Sequence, residues 1–255
     1  MARIIEILRE EDGFASLGAI AERLETSVST VRRDVDQLSR IGPVTRTHGG
    51  AVLSAAETLS FEPGSRIASE IEPEAKASIG RHAAAMIVPG SSVLFDSGTT
   101  TGEVARAALS RGIAFHAFTN DIAIAATLSV SDKIVVNLFH GRMRSGSSTV
   151  MGAETVADIH RICADLLFIG THAGSLEGVS DTSTELAEIK RAFLSAARET
   201  ILVADRTKFP KRSLCQFAAL SELDRIVIDD RLDAELHAEL AARHPGVELA
   251  PRVPS

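Results

Sequence analysis

From residue 74 to residue 230 the chain alternates segments of helical spacing with segments of strand character, and this alternation restricts the fold more than any other feature. Residues 75–87, 100–109, 121–128, 153–160 and 184–197 read as helices, and residues 92–95, 113–118, 134–139, 164–169, 201–204 and 225–228 read as strands. Two neighbouring parallel strands need a long crossover, and a helix supplies it while covering the sheet. The expected fold class is therefore α/β, with a mainly parallel sheet. Ligands of such sheets settle beyond the carboxyl ends of the strands, so the residues after each strand are the ones to inspect.

Those residues are polar or flexible. Strand 92–95 runs into Asp96-Ser97-Gly98-Thr99-Thr100-Thr101, where a glycine permits a tight turn and free amides at a helix start favour an anion. The competing reading is an ordinary capped turn, in which Ser97 or Thr99 satisfies the helix amides. The following strand ends in Thr119-Asn120-Asp121, the next in His140-Gly141-Arg142-Met143-Arg144, and another in Gly170-Thr171-His172. Strand 201–204 leads to Asp205-Arg206-Thr207-Lys208-Phe209. Arg142, Arg144 and Lys208 offer positive charge to a dianion, while Asp96, Asn120 and Glu185 offer acceptors to the hydroxyls of a sugar. Each loop alone also reads as punctuation, and a lone histidine such as His140 or His172 is more often a hydrogen-bonded one than a ligand-binding one.

The first fifty residues follow a different pattern. Ile4, Ile5, Leu8 and Phe14 predict an amphipathic helix ending around Asp12-Gly13. Ser16 is placed to cap a second helix with Leu17, Ile20, Ala21 and Leu24 on its inner face, and Ser27 a third with the stripe Val28, Val31, Val35 and Leu38. Ser29, Arg33, Gln37 and Arg40 then point away from that stripe, with Thr30 and Arg32 on its two shoulders. Three short helices with an arginine-bearing third describe a helix-turn-helix whose third helix enters the major groove of DNA. Arg33 is the candidate for a base contact and Arg32 for a phosphate contact. After Gly42-Pro43 ends the helix, residues 44–47 and 51–53 pair as a wing around His48-Gly49-Gly50, with Arg46 and His48 as donors. A helical cap on the larger domain is the alternative that pattern alone leaves open.

Charge fits the DNA reading only locally. With 27 basic and 34 acidic residues the net charge is -7, which excludes a protein that coats nucleic acid through bulk charge. Residues 1–26 are nevertheless net acidic and residues 27–50 net basic, and every basic residue before Lys76 is an arginine, whose planar fork suits phosphates and guanine edges. Between Leu53 and Pro73 periodicity is lost and Ser, Pro and Gly gather, as in a connector. The expected division is a winged helix-turn-helix in 1–53, a linker in 54–73 and an effector-sensing domain in 74–255.

No apolar run is long enough for a membrane span and the N-terminus carries acids, so a cytoplasmic protein without membrane contact is expected. Cys163 and Cys215 form no CxxC and are expected to be reduced and buried. His160, Cys163 and His172 lack metal-ligand spacing, so neither a metal nor a cofactor is expected.

The run Ser27-Val28-Ser29-Thr30-Val31-Arg32-Arg33-Asp34-Val35, with Leu38 and Arg46-Thr47-His48-Gly49-Gly50-Ala51, resembles the signature of the DeoR family of bacterial sugar-catabolism regulators. Asp96-x-Gly98-Thr99-Thr100, Thr119-Asn120, Gly152, Asp165 with Phe168 and Gly170, and Asp205-x-x-Lys208-Phe209 are similar to the sensor domain of that family. The resemblance runs from Arg3 to about Asp230. It implies a sensor fold similar to ribose-phosphate isomerases and a phosphorylated sugar as effector. His140 stands where the family has a glycine, Asp121 where it commonly has asparagine, and the 171–180 loop is atypical.

The function expected from all this is a transcriptional regulator, a repressor of a catabolic operon, and not an enzyme. Its partners would be double-stranded operator DNA, read by Ser29, Thr30, Arg32, Arg33, Gln37, Arg46 and His48, and a phosphorylated sugar-like effector. The effector would be held by Asp96, Gly98, Thr99, Thr100, Thr119, Asn120, Arg142, His172, Glu185 and Lys208. A short recognition helix makes few base contacts, so a homodimer or homotetramer is expected. The alternatives are a phosphosugar isomerase, with Asp96, Glu103 and Asp205 as candidate bases, and an activator with a non-sugar anionic effector.

Overall fold

The computed structural model describes residues 2–11, 13–41, 44–53, 68–69 and 71–252. The chain forms two compact units, residues 1–72 and 73–255. Asp12, the Gly42-Pro43 pair and most of the expected connector, residues 54–67 and 70, lie outside the described residues.

The first unit holds α1 (Ala2–Glu10), β1 (Phe14–Ser16), α2 (Leu17–Arg23), α3 (Val28–Ile41), β2 (Val44–Arg46) and β3 (Gly50–Leu53). Ser16 caps α2 by accepting from the Ala19 amide at 3.0 Å, and Ser27 accepts from the Thr30 amide at 3.2 Å at the start of α3. Ile4, Leu8, Ile20, Val31 and Val35 are fully buried together, so the three helices close one small core. Two expectations need correcting. Val28 is 43% exposed: as the first residue of α3 it lies beyond the edge of that core. The first helix stops at Glu10, short of the expected end around Asp12-Gly13, the Gly13 amide turns back to the Leu8 carbonyl, and the Phe14 that follows opens a strand.

That unforeseen strand makes the wing three-stranded, in the order β1-β3-β2. Ala15 and Arg46 both pair with Ala51, one from each side. A Cβ on Gly50 would stand 2.3 Å from the Ala15 carbonyl oxygen and 2.8 Å from the Phe14 ring, so close strand packing explains this glycine. Nothing lies within 4 Å of where a Cβ on Gly49 would be.

The second unit is built on seven strands, all parallel: β4 (Ser92–Phe95), β5 (Phe115–Thr119), β6 (Ile134–Leu138), β9 (Ala164–Ile169), β12 (Ala197–Ala204), β14 (Arg225–Asp229) and β15 (Val247–Ala250), in the order β15-β14-β12-β9-β4-β5-β6. Side chains alternate across it. Val93, Phe95, Leu166, Phe168, Ile201 and Val203 face α4 (Pro73–Ala84), α5 (Thr99–Ser110) and α6 (Ile122–Leu128). Leu94, Leu167, Ile169, Leu202, Ile226 and Ile228 face α7 (Ala153–Ile159), α8 (Thr184–Ser195) and α9 (Ala234–Arg243). Each fully buried Phe or Leu contributes about 1.5 to 3 kcal/mol of apolar transfer, so a strand clothed on both faces reads as a continuous apolar run.

Two small sheets flank the main one. A hairpin pairs β7 (Arg142–Met143) with β8 (Val150–Met151), and β10 (Ala173–Gly174), β11 (Gly178–Asp181) and β13 (Cys215–Ala219) form an antiparallel trio. Sequence periodicity missed these short strands, as it missed α9 and β15. Cys163 is exposed and Cys215 half-buried, contrary to the expectation that both are buried; Cys163 sits in the loop before β9. Among the described residues no helix is long and apolar enough to cross a membrane. No group of three or more His, Cys, Asp or Glu among them is placed to hold a metal ion.

Candidate nucleic-acid interface and effector site

On α3, Ser29, Thr30, Arg32, Arg33, Gln37 and Arg40 are all exposed, while Val31, Val35 and Leu38 are buried behind them. Helical spacing alone therefore divides the helix into a core face and a polar face. The Ser27 hydroxyl lies 2.8 Å from that of Ser29 and 2.9 Å from that of Thr30, a cluster of hydroxyls at the helix start. Arg46 of the wing donates to Asp36 of α3 at 2.9 Å, which ties hairpin to helix. His48 is exposed in the turn between β2 and β3. The structure thus brings all seven residues expected to read DNA onto one helix and the wing beside it.

In the sheet unit the chain enters at β4, runs outward through β5 and β6, and returns to the other side of β4 at β9 before running outward again. The switch point lies between β4 and β9, where doubly wound sheets open a crevice. The loops after β5, β4, β9 and β12 follow one another along that edge and present Asn120, Asp96, Gly170 and Asp205.

Asp96 is buried. Its carboxylate accepts from the Gly170 amide at 3.1 Å and from the Lys190 ammonium, which also donates to the Gly170 carbonyl at 3.0 Å. Burial pushes the Asp96 carboxyl above its ordinary value, and the Lys190 charge pulls the other way. Two residues on, Gly98 takes φ +144° at the start of α5, and among the described residues no side chain caps that start. The capped-turn reading thus fails: neither Ser97 nor Thr99 satisfies the helix amides. Thr99 is half-buried and Thr100 buried, and Thr101 donates its hydroxyl to the Gly98 carbonyl at 2.9 Å.

Thr119 and Asn120 are both fully buried at the end of β5. The Thr119 hydroxyl accepts from the Asp121 amide, and Asn120 donates to the Val150 carbonyl at 3.1 Å while its Oδ1 has no hydrogen-bond partner. After β12, Asp205 is fully buried and its Oδ2 likewise has no hydrogen-bond partner among the described residues. Burial alone would raise its carboxyl, but the charges of Lys208 and Lys76 and the hydrogen bonds from Thr207 hold it below the ordinary value. Lys211 has its ammonium lowered by burial and by the neighbouring charge of Lys208. Lys208 and His172 are half-buried.

Arg142 and Glu185 meet each other. Arg142 Nη2 donates to both carboxylate oxygens, at 2.7 and 2.8 Å, so a cation and an acceptor expected to face a ligand form one exposed ion pair. Of the candidate bases, Glu103 is paired with Arg106 on the surface of α5.

Sequence reasoning missed Lys190 and Lys76. Both carry a readable signal: Lys190 lies four residues after Leu186 and three before Phe193, and Lys76 three before Ile79, so each is a lysine on an apolar helical face. A charge at such a position needs buried partners.

Residues 1–57 match the DeoR-like helix-turn-helix domain, and residues 71–230 match the DeoR C terminal sensor domain. The chain belongs to the DeoR family. It is 33% identical over 239 residues to the HTH-type transcriptional regulator GlpR of Haloferax volcanii, covering 93% of this chain and 92% of the relative. It is 27% identical over 247 residues to the glycerol-3-phosphate regulon repressor of Escherichia coli strain K12, covering 96% of each. These relatives are named as regulators rather than enzymes, and this DeoR-family chain is a DNA-binding transcriptional regulator. The solved structure of ribose 5 phosphate isomerase A from Neisseria gonorrhoeae overlaps 52% of each chain at 14% identity and a TM-score of 0.38.

Proposed function

We propose that this regulator represses an operon for the uptake or breakdown of a phosphorylated sugar-like compound, and that this compound is its effector. Residues 1–53 act as the operator-reading module, 54–73 as a linker and 74–255 as the sensor. Ser29, Thr30, Arg33 and Gln37 address base edges, while Arg32, Arg46 and His48 address the phosphate backbone. Asp96, Gly98, Thr99, Thr100, Thr119, Asn120, Arg142, His172, Glu185 and Lys208 line the effector site, and the chain works in the cytoplasm as a homodimer or homotetramer.

The observation that carries the effector reading is the start of α5 at the switch point: its amides have no side-chain cap, and the loop before it is pinned through Asp96. Uncapped amides with a helix dipole behind them suit an anion. The partnerless oxygens of Asn120 and Asp205 on the same edge suit hydroxyl donors. The relative named for a glycerol-3-phosphate regulon supports a phosphorylated polyol or sugar as the class.

A thermal-shift screen of sugars and polyols, each with and without its phosphate, tests this. At about 100 times the dissociation constant a ligand adds about 2.7 kcal/mol of stability. The phosphorylated member of one pair is expected to raise the melting temperature and its parent compound to leave it in place. A best ligand without any anionic group would contradict the proposal.

A further inference from the structure

Lys190 joins four pieces of the sensor unit. Its ammonium, on a side chain 6% exposed, bonds Asp96 after β4 and the Gly170 carbonyl after β9, stands 3.5 Å from Asp181 Oδ2 at the end of β11, and lies 5.3 Å from the ring centroid of Phe217 in β13. Asp181 is buried too, and its Oδ1 accepts from the Thr182 amide at 2.7 Å, which leaves Oδ2 towards the lysine. Two buried carboxylates thus share one buried ammonium, with the closer contact to Asp96. A small change in potential on either side shifts such a charge between its partners, because the surroundings screen little.

We infer that Lys190 is a positioning residue that reports occupancy of the Ser97–Thr101 loop to the small sheet through the strength of its contact with Asp181. The inference rests on the anion site proposed at that loop. An anion on the amides of α5 adds negative potential on the Asp96 side and holds the ammonium against Asp96, where its closer contact already lies, at the expense of the longer contact to Asp181. Asp181 then loses its cation. Strand β11 is poised to respond, since its register against β13 already shifts between Val179 and Ser180 and Asp181 is its last residue.

Hydrogen exchange of the full chain, followed by mass spectrometry while inorganic phosphate is added, tests the coupling. Exchange in residues 97–102 is expected to slow, and exchange in residues 178–182 to quicken by about tenfold. Asp181→Asn is expected to keep the first response and lose the second. If phosphate protects 97–102 in the parent protein while 178–182 does not move, the coupling is overturned whatever the variant does. It is equally overturned if Asp181→Asn, melting like the parent, transmits the full response. Absence of any protection at 97–102 would instead remove the anion site itself, and the inference with it.

Discussion

On α3 the side chains Ser29, Arg32, Arg33 and Gln37 stand in solvent, whereas at the sheet edge Asp96, Lys190 and Asp205 are buried with hardly any exposed surface. The first face presents charge that stays hydrated until a partner arrives, so the fold does not need to satisfy it. The second holds ionised groups away from water, where each must find its counter-charge inside the molecule. Changing the exposed face should therefore alter binding and leave stability alone, while changing the buried one should alter stability before binding is reached.

The largest effect expected from this contrast is that of Lys190→Met. Removing the ammonium leaves Asp96 and Asp181 buried without their shared cation, and loss of one partner of a buried pair costs about 3 to 5 kcal/mol. Urea unfolding of the sensor unit reads this directly. A loss near zero would mean that the triad is not the electrostatic centre of the edge.

Gly50→Val probes the first unit, where the wing is held by packing rather than by charge. The new side chain would collide with the Ala15 carbonyl and the Phe14 ring, at about 1 to 3 kcal/mol for an overpacked site. The melting of residues 1–57 should fall while the sensor unit melts as before; two transitions followed by calorimetry separate the outcomes.

On the exposed face, Arg33→Ala is expected to cost about 1 to 3 kcal/mol of operator affinity and to relax preference at one base position. Arg32→Ala should weaken all sequences evenly and flatten the salt dependence. Melting temperatures of both should match the parent. Equal behaviour of the two variants in a binding titration against operator and scrambled duplexes would break the assignment of base and phosphate contacts.

The smallest effect belongs to Arg46 and Asp36, each more than a third exposed. Their pairing should contribute at most about 0.2 to 1 kcal/mol to stability, as surface pairs do. Arg46→Ala is expected to leave the melting temperature nearly in place, and a larger fall would show that the tie between wing and helix holds the unit together.

The two regions also differ in what the sequence discloses. The exposed face of α3 was legible because one helix and its 3.6-residue period decide which side chains face out, and Val28 escaped only by lying at the helix end. The main strands were legible because both of their faces are covered, so Val93-Leu94-Phe95 and Leu166-Leu167-Phe168 read as unbroken apolar runs. The two-residue strands β7, β8 and β10 carry no period to read. The Lys190 triad joins residues 94 and 9 positions away on separate elements, and no local spacing reports such a meeting. Arg142 and Glu185, 43 positions apart, were legible as polar residues near an edge but not as partners of each other.

On the proposed function, one region reads operator DNA and the other reads an anionic effector that changes that reading. Fluorescence anisotropy of a labelled operator duplex, selected from random DNA by this chain, tests it when the phosphorylated ligand found by thermal shift is titrated at fixed salt. The parent protein should change its operator affinity as the ligand binds. Lys208→Ala should keep the parent affinity without ligand and lose the response, since it would remove the proposed charge-assisted contact, which would contribute roughly 1.5 to 3 kcal/mol to ligand binding. A ligand that binds the parent protein yet leaves its operator affinity unchanged would contradict the account, as would an undiminished response in Lys208→Ala.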